Sequence, residues 1–186
     1  MKDINLFKTK DSVYLKLVRS KSEVSKEDSC DGFLIDSSEK EARRIIESLK
    51  GTGKLIAIVG GDDAFNRRAI ESLKIDYLIS PEAKNRGDNL KQRDSGINHV
   101  VAKEAVKKGV AIIIDFNEIQ KLKGKEKALR LGRLIQNVKI CRKAGCDIKI
   151  ASLGFNQKSL VDERGRKSFG VSLGMSSVQA TKSVQF

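Results

Sequence analysis

The sequence predicts a single-domain α/β fold built around a largely parallel sheet, and three observations support this. Short apolar runs alternate with helical patterns along the whole 186-residue chain, as in proteins made of successive βα units. The run at 110–115 is apolar enough to lie buried on both faces, which is typical of parallel sheets. No repeat or linker interrupts the series, so residues 1–186 are expected to form one domain.

Seven segments have the composition of strands. They are residues 4–7 (the weakest candidate), 13–18, 32–36, 54–59, 76–80, 110–115 and 147–152. Pro81, the only proline, ends the fifth of them, because proline has no N–H to donate to a neighbouring strand. Strands and helices in this order fit either a closed barrel or an open doubly wound sheet, and the spacing alone leaves both open.

Helical patterns separate most of these strands. They cover residues 39–49, 63–73, 98–108 and 125–144, with a last helix from about residue 176. The first has apolar residues at i, i+3, i+4 and i+7, with Ser37 or Ser38 as its N-cap, and the longest is expected to end at Gly145. Between the last strand and the last helix, the sequence predicts a basic loop at 164–167 and a short apolar segment at 169–173.

The chain carries a large excess of positive charge. Its 37 Lys and Arg residues against 24 Asp and Glu residues give a net charge of +13, which favours a polyanionic partner, with nucleic acid first among them. Solvated lysine faces and an anionic membrane surface are other interpretations of the same charge. No apolar run approaches the ~20 residues that span a bilayer, and three scattered cysteines indicate neither disulfides nor a zinc site. We therefore expect a cytoplasmic protein with no membrane partner.

Residues suited to metal-dependent hydrolysis are sparse. His99 is the only histidine, so no histidine pair is available to hold a metal ion. Four aspartates near the ends of strands leave an all-carboxylate magnesium site open: Asp36, Asp62, Asp63 and Asp115. Carboxylates in such positions are more often helix caps. A carboxylate- and magnesium-dependent phosphoesterase is therefore kept as an alternative function.

Several segments together form a specific pattern. Residues 76–82 read DYLISPE, and after a charged loop residues 93–116 read RDSGINHVVAKEAVKKGVAIIIDF. A further block at 133–143 reads RLIQNVKICRK, and the pattern continues through 150–152, the basic turn at Arg164 and residues 173–175. These segments resemble protein component 3 of archaeal ribonuclease P. The resemblance covers nearly the whole chain, and the region before Asp31 is its least diagnostic part.

The resemblance implies both a fold and a function. The fold would be a TIM-barrel-like domain, akin to polymerase-and-histidinol-phosphatase domains but without their metal site. The protein would bind the ribonuclease P RNA together with protein component 2, as a heterotetramer of two such pairs, and support removal of 5′ leaders from precursor tRNA. The RNA and its magnesium ions would carry the chemistry, so this chain would bind no cofactor of its own, have no catalytic residue and contact precursor tRNA only indirectly. A general RNA-binding chaperone remains a further alternative.

The candidate RNA-binding residues are basic residues and the histidine of the motif. They are Arg93, His99, Lys103, Lys107, Lys108, Arg142, Lys143, Arg164, Arg166, Lys167 and Lys182. A solvated helix face is the alternative for the lysines, and a structural role at the helix start is the alternative for His99. Arg93, His99, Lys103, Lys107 and Lys108 are the first choices. The cluster at 164–167 ranks above Arg142 and Lys143, because a basic loop is well placed to follow a phosphate backbone.

The candidate partner-binding residues lie on the longest helix. Leu131 and Leu134 belong to an apolar surface that exceeds what one core-facing stripe requires, so they are assigned to a contact with component 2. Burial of the same residues within the barrel is the alternative.

Overall fold

The computed structural model describes residues 2–25, 29–84, 87–88 and 93–186. In these parts of the chain, seven parallel strands lie side by side in chain order. The strands are β1 (Asp3–Asn5), β2 (Ser12–Val18), β3 (Gly32–Ile35), β4 (Leu55–Val59), β5 (Tyr77–Ile79), β6 (Ala111–Asp115) and β7 (Ile148–Ala151). Each new strand is therefore added to the same edge of the sheet, which is the order found in barrels and not in doubly wound sheets.

Hydrogen bonds join the first strand to the residues that follow the last one. The backbone N–H of Leu153 donates to the carbonyl of Ile4 at 3.0 Å, and that of Leu6 donates to the carbonyl of Gly154 at 2.9 Å. The side chain of Asn5 also accepts from the N–H of Gly154 at 3.2 Å. The two edges of the sheet are therefore joined in a nearly closed, TIM-barrel-like structure, which excludes the open doubly wound sheet that strand spacing had left possible.

Seven α-helices surround the described part of the barrel. They are α1 (Glu39–Ser48), α2 (Asp63–Ser72), α3 (His99–Lys108), α4 (Phe116–Lys121), α5 (Gly124–Ala144), α6 (Glu163–Ser172) and α7 (Ser177–Ser183). Each helix begins beyond the carboxyl end of one strand and leads back towards the amino end of the next, except where two helices follow one strand. Among the described residues, no helix lies between β1 and β2, and only a 3-10 turn at Lys21–Glu23 lies between β2 and β3.

The strands separate two apolar cores. The interior of the barrel is filled by Ile4, Leu15, Leu34, Ala57, Ile79, Ile113, Ala151 and Leu153. The outer core, between strands and helices, includes Phe33, Ile58 and Ile112. In β6, four consecutive residues are buried, because alternate side chains point into the two cores. The apolar run at 110–115 is thus a doubly covered strand, as predicted.

The region after β7 differs from the prediction. Residues 164–167 are not a loop but lie in α6, whose first turn is capped by the Asp162 side chain accepting from the N–H of Gly165 at 2.7 Å. The predicted apolar segment at 169–173 continues the same helix. Gly165 and Gly170 weaken the helical signal in the sequence. Gly170 is required by packing, since a Cβ there would lie 3.0 Å from Met175 Sδ and 3.1 Å from Ile150 Cδ1.

Candidate nucleic-acid interface

The motif histidine is the first residue of α3. Asn98, not His99, caps this helix, and its Oδ1 accepts from the N–H of Val101 at 3.0 Å. The His99 side chain is exposed, as are those of Lys103 and Lys108. His99 therefore has no capping role, and α3 presents it to solvent at the end of the motif loop.

The described residues between β5 and α3 (80–84, 87–88 and 93–98, together called the motif loop) are held against the polar side of α5. Gln136 Nε2 donates to the carbonyl of Arg93 at 2.9 Å and to Ser95 Oγ at 3.0 Å. Asn137 Nδ2 donates to the carbonyl of Ser95 at 2.9 Å, and both Asn137 and Ser95 are buried. Two side chains one position apart on a helix therefore fix the backbone just before the Gly-Ile-Asn-His segment.

Two arginines of the same helix hold the first half of the loop. Arg130 is only 6% exposed, and its Nη2 donates to the carbonyl of Ala83 at 2.9 Å and to Glu118 Oε1 at 3.3 Å. Arg133 Nε binds Asp88 Oδ1 at 3.0 Å. Positions 130, 133 and 137 lie on one face at helical spacing. Sequence reasoning missed these residues as a group, although polar side chains at that spacing in an apolar helix were a usable signal.

A buried carboxylate lies beside Arg130. Glu82 is fully buried, and its Oε1 lies 3.5 Å from Arg130 Nη1. Burial raises the pKa of Glu82 to about 7, although the positive charge of Arg130 lowers it in part. The carboxylate and the guanidinium thus anchor the start of the motif loop beneath the surface.

Asn66 of α2 holds the loop from the other side. Its side chain is fully buried, and Oδ1 accepts from the N–H of Gly61 at 2.7 Å. Its Nδ2 donates to the carbonyl of Pro81 at 3.2 Å and to that of Gly96 at 3.0 Å. One amide therefore ties the beginning and the end of the motif loop to the turn after β4.

Arg93 lies against the middle of α5. A Cβ added at Gly132 would overlap the Arg93 guanidinium, so only glycine at this position lets the guanidinium lie so close to the helix. Arg93 is nevertheless exposed, and it remains a candidate for contact with a phosphate.

The predicted basic cluster after β7 is divided by α6. Arg166 is only 3% exposed, and its Nη1 donates to Asp3 Oδ1 at 2.8 Å and to the carbonyl of Ile150 at 3.0 Å. Burial lowers the pKa of the Arg166 guanidinium, and the Asp3 carboxylate counteracts this. The assignment of Arg166 to RNA binding is therefore wrong for this fold, because its charged group is enclosed at the barrel closure. Lys167 pairs with Glu163 at 2.6 Å, and Arg164 is exposed.

The remaining predicted cations lie on helix ends. Lys107 pairs with Glu104 at 3.1 Å in the last turn of α3. Arg142 and Lys143 are exposed in the last turn of α5, and Arg142 Nη1 donates to the carbonyl of Gly174 at 3.3 Å. Lys182 is exposed in the last turn of α7. Because α3 and α5 lead back to the starts of β6 and β7, Lys107, Arg142 and Lys143 lie at the amino ends of the strands, whereas the motif loop lies at the carboxyl ends.

The two predicted partner-binding leucines have different environments. Leu134 is fully buried in the outer core, so its assignment to a partner surface is wrong for this fold. Leu131 is half-buried and packs on the edge of that core. The broad apolar side of α5 packs against α3 and against the outer core, in which Leu134, Val138 and Cys141 are buried.

Three of the four carboxylates considered for magnesium are engaged as helix caps or in an ion pair, and the fourth, Asp63, is the first residue of α2. Asp62 caps α2 by accepting from the N–H of Phe65 at 2.7 Å, and Asp115 caps α4 by accepting from that of Glu118 at 2.9 Å. Burial raises the pKa of Asp115 to about 7. Asp36 lies 3.6 Å from Arg19 Nε. Over residues 2–25, 29–84, 87–88 and 93–186, no three His, Cys, Asp or Glu side chains are grouped to hold a metal ion.

None of the helices in the described parts of the chain is long and apolar enough to cross a membrane.

Comparison with protein-family models gives one match, over residues 29–185, to the family described as RNase P subunit p30. Ribonuclease P protein component 3 of Methanothermobacter thermautotrophicus is 26% identical over 171 residues, which cover 91% of this chain and 67% of that protein. The protein of the same name from Methanocaldococcus jannaschii is 29% identical over 132 residues, covering 71% of this chain and 54% of its own length. The aligned part thus spans between about half and two thirds of these relatives.

Solved structures share the fold. A chain in a cryo-EM structure of archaeal ribonuclease P with mature tRNA superposes with a TM-score of 0.75 at 23% identity, covering 98% of this chain and 86% of its own. An amidohydrolase superposes with a TM-score of 0.59 at 14% identity, covering 84% of this chain and 41% of its own. At these identities, both likenesses concern architecture alone.

Proposed function

Because this chain belongs to the RNase P subunit p30 family, we propose that it is a ribonuclease P subunit that binds the catalytic RNA together with protein component 2 and supports removal of 5′ leaders from precursor tRNA. The observation that carries this proposal is the family match over residues 29–185, which spans every element from β3 to α7. The aligned portion of the relatives is partial, so the activity of the whole assembly is part of the proposal.

In this proposal the RNA and its magnesium ions carry out phosphodiester cleavage, and this chain contributes positive charge. Closely packed RNA backbones repel one another, and lysine and arginine side chains that neutralise phosphates reduce this repulsion. The net charge of +13 and the exposed cations on α3, α5, α6 and α7 support such a role. The chain then binds no cofactor of its own.

The anchored motif loop supplies fixed positions for this contact. Asn66, Arg130, Arg133, Gln136 and Asn137 hold the loop through buried or half-buried contacts. Residues already held by such contacts in the free protein lose little conformational entropy when RNA binds, so more of the interaction free energy appears as affinity. Within the loop and the helix it leads into, Arg93, His99 and Lys103 are the proposed contacts.

The proposed contact with component 2 uses the exposed side of α5 and its neighbour α3. Leu129 is 37% exposed, and Val100 and Val106 of α3 are 64% and 45% exposed. Together with the half-buried Leu131, these side chains offer apolar surface near the motif loop. Pairing of two such heterodimers gives the proposed heterotetramer.

Cleavage of precursor tRNA at limiting magnesium tests the proposal. The catalytic RNA is assayed with component 2 alone, with this protein alone and with both. The expected result is a large gain in cleavage rate only when both proteins are present. No gain would contradict the proposal, and magnesium-dependent cleavage by this chain without RNA would instead favour the phosphoesterase alternative. Equal binding of unrelated RNA would favour a general chaperone.

A further inference from the structure

A group of lysines that the motif does not include lies beyond the carboxyl ends of β6 and β7. Its members are Lys121, Lys123, Lys125 and Lys127 at the junction of α4 and α5, and Lys158 in the 3-10 turn after β7; together they are called the lysine rim. All except the half-buried Lys127 are exposed.

The lysine rim is not neutralised by ion pairs. Other lysines pair with a carboxylate three or four positions away, as Lys50 does with Glu47 at 2.7 Å and Lys167 does with Glu163 at 2.6 Å. Within the described residues, no rim lysine makes an ion pair of this kind. Of the nearby acids, Asp115 caps α4 and Glu118 binds Arg130, which leaves Glu126 as the exposed acid between the rim lysines.

The rim also contains the N-terminus of α5. Lys123 is its N-cap residue and provides no side-chain hydrogen bond, whereas the other six α-helices described each have a capping side chain. At 21 residues, α5 is also the longest helix described, and its positive end adds to the charge of the lysines around it. This helix end is a supporting feature, and the lysine charges are the main one.

An exposed aromatic ring joins the two parts of the rim. Phe155, in the loop after β7, is 54% exposed, and Lys121 Nζ lies 5.3 Å from the centre of its ring. This contact holds the α4 end beside the turn that carries Lys158. A half-exposed aromatic ring among lysines without ion pairs is a combination that binds a nucleic-acid strand, since a base stacks on the accessible part of the ring while phosphates meet the cations.

We infer that the lysine rim is an RNA-binding surface, which contacts the phosphate backbone of the RNA at the carboxyl ends of β6 and β7. The inference rests on the proposed function and locates one RNA contact on a surface that the motif does not contain. RNA fits better than a membrane surface, because interfacial membrane binding needs a continuous apolar face and Phe155 is a single ring.

The test compares two triple variants that remove the same charge. Lys121→Gln/Lys123→Gln/Lys125→Gln changes the rim, and Lys10→Gln/Lys40→Gln/Lys74→Gln changes exposed lysines on other parts of the chain. Affinity of each full chain for ribonuclease P RNA, in complex with component 2, is measured against salt concentration. For the rim variant we expect the slope of log K against log salt to fall by about 2, and affinity near physiological salt to fall by about tenfold or more. The control variant should lose much less.

Phe155→Leu provides an independent readout. It keeps apolar volume and charge, so we expect affinity to fall by roughly two- to tenfold with an unchanged salt slope, because stacking and not phosphate contact is removed. Circular dichroism of every variant shows whether the fold is retained.

The outcomes separate this inference from the proposed function. Failure of the unmodified chain to bind the RNA contradicts the proposed function. If the unmodified chain binds and the two triple variants behave alike, only the rim assignment is overturned. Loss of affinity for component 2 with an unchanged RNA salt slope also overturns it, and makes the rim a protein-docking surface.

Discussion

Substituting Arg166 distinguishes two opposite roles, since the sequence predicts an RNA contact and the structure places the side chain in a buried ion pair. In the structure its guanidinium is buried and donates to Asp3 Oδ1 and to the carbonyl of Ile150. The same Asp3 oxygen accepts from the N–H groups of Ile4, at 2.8 Å, and Ser152, at 3.1 Å. The ion pair therefore lies where β1 meets the end of β7.

Replacing Arg166 by Met leaves a largely buried carboxylate without its counter-charge. Removing one partner of a buried pair costs about 3–5 kcal/mol of unfolding free energy. In a domain of this size each kcal/mol lowers the melting temperature by about 2–4 °C, so a loss on the order of 10 °C is expected. Asp3→Asn/Arg166→Met removes both charges and should be less destabilised than Arg166→Met alone.

Urea unfolding of the two single variants and the double variant gives the coupling energy between Asp3 and Arg166. Arg166→Lys is the control that keeps the charge, since a residue whose task is to contact phosphate tolerates this change and a buried guanidinium does not. Unaltered stability of Arg166→Met, together with a salt slope for RNA binding reduced by about 1, would refute the structural role and restore the sequence-based one.

Three further predictions concern the anchored loop and α5. Burial raises the pKa of Glu82 from 4.5 to about 7 in the folded protein, so the stability it contributes is complete below pH 4.5 and is lost as pH rises towards 7. In urea unfolding across this pH range, the free energy of unfolding of Glu82→Gln should therefore decline less than that of the unmodified protein. An identical decline in the two proteins would contradict the burial argument. Leu134→Ala should cost about 2–5 kcal/mol in the same assay, because the side chain is fully enclosed, and a cost below about 1 kcal/mol would indicate an exposed partner-binding residue. Gly132→Ala should leave stability unchanged or raise it by up to about 1 kcal/mol, because only the flexible end of Arg93 must move. If Arg93 contacts RNA from its present position, Gly132→Ala should lower RNA affinity as Arg93→Ala does, and unchanged affinity in both variants would remove Arg93 from the interface.

Local patterns predicted most of the fold. The apolar runs of β3 to β7 and the cap at Ser38, one of the two serines proposed, are encoded in a few neighbouring residues, and the structure contains them. The helix at Glu163–Ser172 was missed because Gly165 and Gly170 weaken the helical signal, and the packing of Gly170 against Ile150 is a long-range contact that no local pattern reports. The family resemblance is confirmed, and the match begins at residue 29, close to where the sequence motifs become diagnostic.

The candidate site was harder to predict, because side-chain environments depend on distant residues. Arg166 and Asp3 are 163 positions apart, so the basic segment 164–167 does not by itself reveal that one of its cations is enclosed. Periodicity showed that α5 has a broad apolar side but not which part the barrel covers, and Leu134 was assigned to the wrong part. Arg130 and Asn137 likewise bind a segment of their own chain that lies more than 40 residues away.

The barrel closure also affects the newly synthesised chain. Strand β1 is made first, but the residues that complete its pairing, around Leu153, leave the ribosome about 150 residues later, which is roughly 7–30 s at ordinary rates of synthesis. During that interval one edge of β1 has no partner within the chain, and such edges join strands of other molecules. Short length and charge are the usual protection, and β1 has three residues, one of them Asp3. The carboxylate that later pairs with Arg166 therefore also places a charge on this edge while it has no partner, and such a charge disfavours pairing with other molecules.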